Sequence, residues 1–304
     1  MAKASAQTDL STPLEFTGER FTPECVREIW YEHFHRYVFA RGLVAGLKVL
    51  DAACGEGYGS ALLATAASFV TGVDLSESAV EHARARYRSD RLEFHVADCL
   101  ELPFDDDAFD CIVSFETLEH LKDHQDLLTE FRRVLKPGGF LLLSSPDKAV
   151  YSDQQQNRNE FHLRELYRDE FETLLRAHFP AYHLWGQKLL FQSAIWSLED
   201  QAGVSFQQVN GGETACSSQP RHDPVYLIAL CAADEASLPV MEQGLSLFDD
   251  AAESVYEHYY HEIRKNMAAG ELLAAKEREL AALKSALEDK QAGSSWWSRL
   301  LGKP

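Results

Sequence analysis

Three acidic residues, Asp51, Asp74 and Asp98, each close a short apolar run, and the first is followed by glycines at 55, 57 and 59. Such a set suits a small-molecule cradle. Glycine permits positive φ and lets backbone approach a ligand, and carboxylates at strand ends can accept from hydroxyl or amino groups. The spacing departs from the G-x-G-x-x-G of dinucleotide sites, because Ser60 stands where the third glycine would be. A second group, Glu116, Glu119 and His120 in FETLEHL, has spacing i, i+3, i+4 and could converge on one side of a helical turn. Carboxylates and an imidazole so placed can move protons or hold a divalent cation. His162, in NEFHLREL, is a candidate further ligand or acid–base group.

Positioning these residues requires strand ends that share one edge. From Leu47 the pattern predicts strands at 47–52, 69–74, 92–97, 109–115 and 139–145, with helices near 57–66, 77–88 and 123–135. Alternation of this kind implies a mainly parallel sheet covered by helices on both faces. Val26, Ile29, Trp30, Phe34, Tyr37 and Val38 predict a helix over 24–42. A helix near 166–178 leads to apolar runs at 181–191 and 225–232, read as an antiparallel pair, with an irregular insertion at 200–224. From about 237 strand signals stop and a long helix is predicted. Leu273, Leu280, Leu283 and Leu287 match a short heptad seam interrupted by Lys276, so the helix is read either as an exposed helix or as a coiled coil joining protomers.

The expected organisation is an arm and lid helix at 1–46, a central domain at 47–235, a helical extension at 236–291 and an aromatic-basic tail at 292–304. With 304 residues and 45% hydrophobic content the chain can bury a large core. A net charge of −19 argues against general nucleic-acid binding. The six cysteines form no C-x-x-C pair and read as reduced thiols, which favours a cytoplasmic location. Neither a signal-peptide h-region nor a membrane-spanning stretch is read. The tail, with Trp296, Trp297, Leu300, Leu301, Arg299 and Lys303, suits an interface with another protein or the inner face of a membrane.

VLDAACGEGYGSALLA, FVTGVDLS, LEFHVADCL and RRVLKPGGFLLLSSP follow one another in the order seen in class I S-adenosylmethionine (SAM)-dependent methyltransferases, which residues 40–232 resemble. The resemblance implies a doubly wound, seven-stranded Rossmann-like α/β sheet with an amino-terminal helical lid and a carboxyl-terminal helical extension. It assigns Asp51, Ala53, Gly55, Gly57 and Gly59 to the methionine half of SAM, Asp74 and Leu75 to the ribose, and Asp98 and Cys99 to the adenine, with Phe115 at the same edge. Pro137, Gly138 and Gly139 are expected to make a tight reversal before the fifth strand.

An alcohol acceptor needs its proton removed or polarised during methyl transfer. His120 is the preferred base, with Glu116 and His162 beside it. Glu-x-x-Glu-His also resembles the divalent-metal motif of ubiquinone-biosynthesis and small-RNA 2′-O-methyltransferases, which implies a magnesium or manganese site at Glu116, Glu119, His120 and His162. The segments FTGERFTPE, EHFHRYVFA and SSPDKAVYSD resemble methyltransferases encoded with cell-surface glycan enzymes. This implies a sugar or O-polysaccharide acceptor, an arm over the cofactor mouth, and Arg20, Arg36 and Tyr37 as candidate contacts of the SAM carboxylate or the acceptor. In that family the carboxyl-terminal helices can dock glycan-assembly partners or a membrane. A small aromatic or quinone-like acceptor is the alternative substrate, and a SAM-binding scaffold the non-enzyme alternative; an RNA acceptor ranks below both because of the acidity.

Overall fold

The computed structural model describes residues 28–300 apart from 157–158, 191, 200–205, 211–212, 221 and 242–243. Arg20 and the arm, and the side chains of Leu287 and the tail, lie outside what is described.

In chain order the elements are α1 (Glu28–Arg41), β1 (Lys48–Ala52), α2 (Tyr58–Leu63), β2 (Phe69–Asp74), α3 (Glu77–Arg86), β3 (Leu92–Val96) and β4 (Phe109–Phe115). After a 3-10 turn at Leu118–His120 come α4 (His124–Val134), β5 (Leu135–Pro146), a wide helical turn at Ala149–Gln154, α5 (Arg168–His178) and β6 (Ala181–Leu189). β7 (Ser193–Ser197), β8 (Phe206–Asn210), β9 (Glu213–Ser217), β10 (Tyr226–Ala232), β11 (Leu245–Phe248) and α6 (Ser254–Leu300) complete the chain.

Nine strands form one sheet in the order β11-β7-β6-β10-β5-β4-β1-β2-β3. β1 to β5 run parallel, and β10, β6, β7 and β11 continue the sheet through antiparallel pairings. The doubly wound α/β expectation holds, and β7 and β11 extend the expected seven strands on the antiparallel side. Because side chains alternate across a strand, neighbours such as Leu141 and Leu142, or Ile112 and Val113, enter opposite cores. Leu127, Phe131, Phe171 and Leu175 of α4 and α5 cover one face, and Tyr37, Ala40 and Leu63 of α1 and α2 cover the other. Both faces are dry, which explains the near-continuous apolar runs in β4, β5 and β10.

Several expectations are corrected. Strand pairing does not stop at 237: Leu245–Phe248 pairs with β7, and the long helix starts at Ser254. The insertion at 200–224 carries the two-stranded β8–β9 hairpin. The turn at Pro137–Gly139 interrupts β5 pairing between Leu135 and Phe140, with Gly138 at φ +80.

The chain divides into two compact units, residues 1–250 and 251–304. The second consists of α6, along which Tyr259, Met267, Leu273, Leu280 and Leu283 are exposed. Among the described residues no helix is long and apolar enough to cross a membrane.

Gly59 shows why the first unit needs a residue without a side chain there, since a Cβ would lie 2.1 Å from the Tyr37 ring. Gly59→Ala should therefore lower stability by about 1–3 kcal/mol, the usual cost of overpacking. Urea denaturation checks this, and an unchanged midpoint would contradict the packing of α1 on α2.

Candidate active site

The carboxyl ends of the parallel strands meet at one edge, as crossovers of a doubly wound sheet require. At the end of β1, Asp51 turns inward and is fully buried. One of its oxygens accepts from the Tyr37 hydroxyl at 3.0 Å, the other from the Ser60 hydroxyl at 2.5 Å. Asp51 thus joins α1 and α2 beneath the loop. Burial pushes its carboxyl up to about 7, opposed by the two hydroxyl donors.

The loop above it curls because Ala53 (φ +58), Gly55 (φ +57) and Gly57 (φ +93) are left-handed at every second position. Ala53 accepts a conformation that costs a residue with a Cβ about 1–2 kcal/mol. Gly57 also makes room for Ala83 and Phe94, each 2.8 Å from where its Cβ would stand. At the end of β2, Asp74 accepts from the Gly55 N–H and the Ser76 N–H, both at 2.9 Å, and keeps partial exposure. Leu75 beside it is 72% exposed, an apolar rim at the same edge. After β3, Asp98 caps the turn through the Leu100 N–H, and burial pushes the neighbouring Cys99 thiol up to about 12. Phe115 closes β4 with its ring edge-on to Tyr37 at 5.1 Å.

Past β4 the expected helical turn of Glu116, Glu119 and His120 is not formed as one unit. Glu116 is left-handed at φ +53, and the 3-10 turn holds Leu118–His120 alone. Ser144 on β5 locks Glu116, accepting from its N–H at 3.2 Å and donating to its Oε1 at 2.6 Å. The carboxylate of Glu116 faces Arg36, at 3.9 Å, and is not a member of the ligand group that Glu119, His120 and His162 make. Those three offer atoms within 4.8 Å of one another.

Loop 159–165 brings His162 there. The Leu163 and Arg164 N–H groups both donate to the Glu119 carbonyl, at 2.8 and 3.1 Å, which clasps the loop onto the 3-10 turn. Phe161 O contacts His120 Nδ1 at 3.1 Å, and Glu165 contacts His162 Nδ1 at 2.6 Å. Glu119 is fully buried with no hydrogen bond to either carboxylate oxygen, and desolvation holds its carboxyl well above the usual range. Its Oε1 lies 4.0 Å from His120 Nε2.

From α1, Arg36 is fully buried, donates to Gln187 at 2.8 Å and lies over the Tyr226 ring. Sequence reading missed Glu32, one helical turn before Arg36, whose backbone carbonyl accepts from the Gln187 amide at 2.9 Å. It missed Ser144 and Glu165 as well. Glu32 stands in the quoted EHFHRY run, and Glu165 is three residues past His162, so spacing could have marked both; Ser144 carried no signal.

The comparisons bear on this geometry. Residues 50–143 match the family model described as a methyltransferase domain. A probable S-adenosylmethionine-dependent methyltransferase of Mycolicibacterium smegmatis is 40% identical over 169 residues, covering 55% of this chain and 65% of that protein. A 27-O-demethylrifamycin SV methyltransferase of Amycolatopsis mediterranei is 41% identical over 115 residues, 34% of this chain and 42% of that one. The chain thus spans less than two thirds of the length of the curated relatives it matches. The YcgJ protein of Bacillus subtilis covers 65% of this chain and 97% of its own, at 20% identity and a TM-score of 0.48.

Asp51 supplies a pH test. Its folded value near 7 lies above the roughly 3.9 of an unfolded aspartate, so the folded state retains a proton that the unfolded chain has lost between those values. That stabilising contribution is complete below about pH 4 and lost as pH rises through about 7. Raising pH from about 5 to about 8 should shift the urea midpoint of Asp51→Asn upward relative to the natural protein. A pH-independent difference would contradict the burial of this carboxylate.

Proposed function

We propose that this chain is a SAM-dependent methyltransferase that transfers a methyl group to a hydroxyl of a sugar or cell-surface glycan. The observation that carries the donor assignment is the Asp74 carboxylate, bonded to the glycine loop and still partly exposed beside the uncovered Leu75. These residues fit SAM: the curled backbone of Ala53, Gly55 and Gly57 would take its amino-acid half, Asp74 and Leu75 the ribose, and Asp98, Cys99 and Phe115 the side of the adenine. Gly59 acts through the Tyr37 contact and Asp51 through the loop. SAM supplies an electrophilic methyl on a sulfonium. The protein contributes orientation and a dry edge, where positioning is worth several kcal/mol.

The buried Glu119 with the half-buried His120 and His162 supports a hydroxyl acceptor, because an alcohol needs help with its proton. His120, with Nδ1 against Phe161 O, presents Nε2 as the accepting nitrogen, and His162 backs it. A second reading is favoured by the unpaired oxygens of Glu119. His120 Nε2 and Glu119 Oε1 at 4.0 Å are both lone-pair donors. A cation between them would meet each at about 2.0–2.2 Å, an ordinary first-row metal distance. Mg²⁺ or Mn²⁺ held by Glu119, His120 and His162 would polarise the hydroxyl in place of a base. The glycan acceptor is supported by the sequence resemblance and by the polar groups that α1 brings to the edge. A cytoplasmic location is supported by the buried thiols of Cys54, Cys111 and Cys231. The exposed leucines of α6 support docking to glycan-assembly partners, a membrane face or a second copy.

Incubation with methyl-labelled SAM and extracted cell-surface glycan should incorporate label into polysaccharide; label in a quinol and none in glycan would overturn the acceptor. Asp74→Ala should weaken SAM binding by about 1–3 kcal/mol in calorimetry. A chelator separates the activation readings: loss of transfer that Mn²⁺ or Mg²⁺ restores establishes the cation, and full activity in chelator leaves His120 as the base.

A further inference from the structure

Arg36 reaches the catalytic edge with an unused donor. Its guanidinium is fully buried and held by Gln187 through one nitrogen, while Nη2 has no hydrogen-bond partner. Gln187 is itself fixed, donating to the Glu32 carbonyl at 2.9 Å and to the Ser193 hydroxyl at 3.0 Å. The opposing acceptor is Glu116 Oε2, at 3.9 Å from Arg36 Nη2, too far for a hydrogen bond. Ser144 and the left-handed backbone keep Glu116 in that position.

A donor and an acceptor held this far apart can be bridged by one hydroxyl, which accepts from the first and donates to the second. Glu32, one helical turn before Arg36, adds a second carboxylate on the same face of α1. An anionic ligand group would meet two carboxylates around a single guanidinium, a repulsive arrangement that argues against the cofactor carboxylate as the partner of Arg36. A neutral polyol meets no such repulsion.

We infer that Glu32, Arg36 and Glu116 form an acceptor clamp for a neutral vicinal diol of a saturated sugar, with Glu32 as a specificity-determining residue. Burial pushes the Glu32 carboxyl up to about 7, opposed by Arg36, so near neutrality it can accept from or donate to a sugar hydroxyl. The inference deepens the glycan reading proposed above and rests on it.

The test is ligand-observed NMR on the full chain saturated with S-adenosylhomocysteine, using the methyl glycosides of mannose, glucose and galactose as probes and glucuronate as the anionic control. At least one neutral glycoside should bind the natural protein in preference to glucuronate. Glu32→Leu should weaken that binding at least about tenfold, with S-adenosylhomocysteine affinity within about twofold, which also reports that the variant folds. If Glu32→Leu fails to fold, Glu32→Gln, which keeps one acceptor oxygen, should give an intermediate loss. Glycoside binding that is absent in the natural protein, equal in the variants, or retained while S-adenosylhomocysteine affinity falls overturns the clamp. If glycosides bind through Glu32 yet no glycan accepts a methyl group, the proposed reaction fails and the clamp stands.

Discussion

The rest of the site depends on one buried carboxylate. Asp51 lies near the end of β1, the middle of the five parallel strands, where an ionised group without partners would be strongly disfavoured, and its two oxygens are taken by hydroxyls from two helices. Tyr37 comes from α1, before the sheet begins, and Ser60 from α2, after the loop. One group therefore fixes the helix below the mouth, the turn that forms the cradle, and the strand that carries both. The same knot sets the packing demand at Gly59, because the Tyr37 ring fills the space a side chain would need.

From this point the geometry propagates outward. With Tyr37 anchored, the same turn of α1 places Arg36 over Tyr226 and His35 between the hydroxyls of Ser193 and Ser246. Those serines belong to β7 and β11, so the two added strands serve as a seat for α1. Directly after β4 comes Glu116, whose left-handed turn separates its carboxylate from Glu119. The edge is thereby divided into one polar region around Arg36 and Glu116 and another around Glu119, His120 and His162. The aromatic contact of Phe115 with Tyr37 lies between the knot and the end of β4.

Much of this was legible in the sequence where the physics is local. Strands buried on both faces read as apolar runs, and an acid closing such a run marks the edge, so β1 to β5, Asp74 and Asp98 were found. β7 and β11 were not, because SAIWS and LSLF are short, and β11 is a strand through its pairing with β7 across about 50 residues. The inward turn of Asp51 was hidden for a similar reason, since it depends on Tyr37 from a separate helix. Glu116 and Glu119 looked like one helical group because spacing does not reveal a positive φ. Glu32 was overlooked because its partner Gln187 is 155 residues away in the chain.

The most direct test of the central claim is calorimetric binding of S-adenosylhomocysteine to Tyr37→Phe, Ser60→Ala and the double variant. Both hydroxyls donate to Asp51 in this structure, which corrects the expected contact of Tyr37 with the ligand and routes the effect of either change through Asp51 and the loop. The account predicts that each single variant weakens binding severalfold, and that the double variant departs from the sum because both changes act on one carboxylate. Folded single variants that bind as tightly as the natural protein would contradict it.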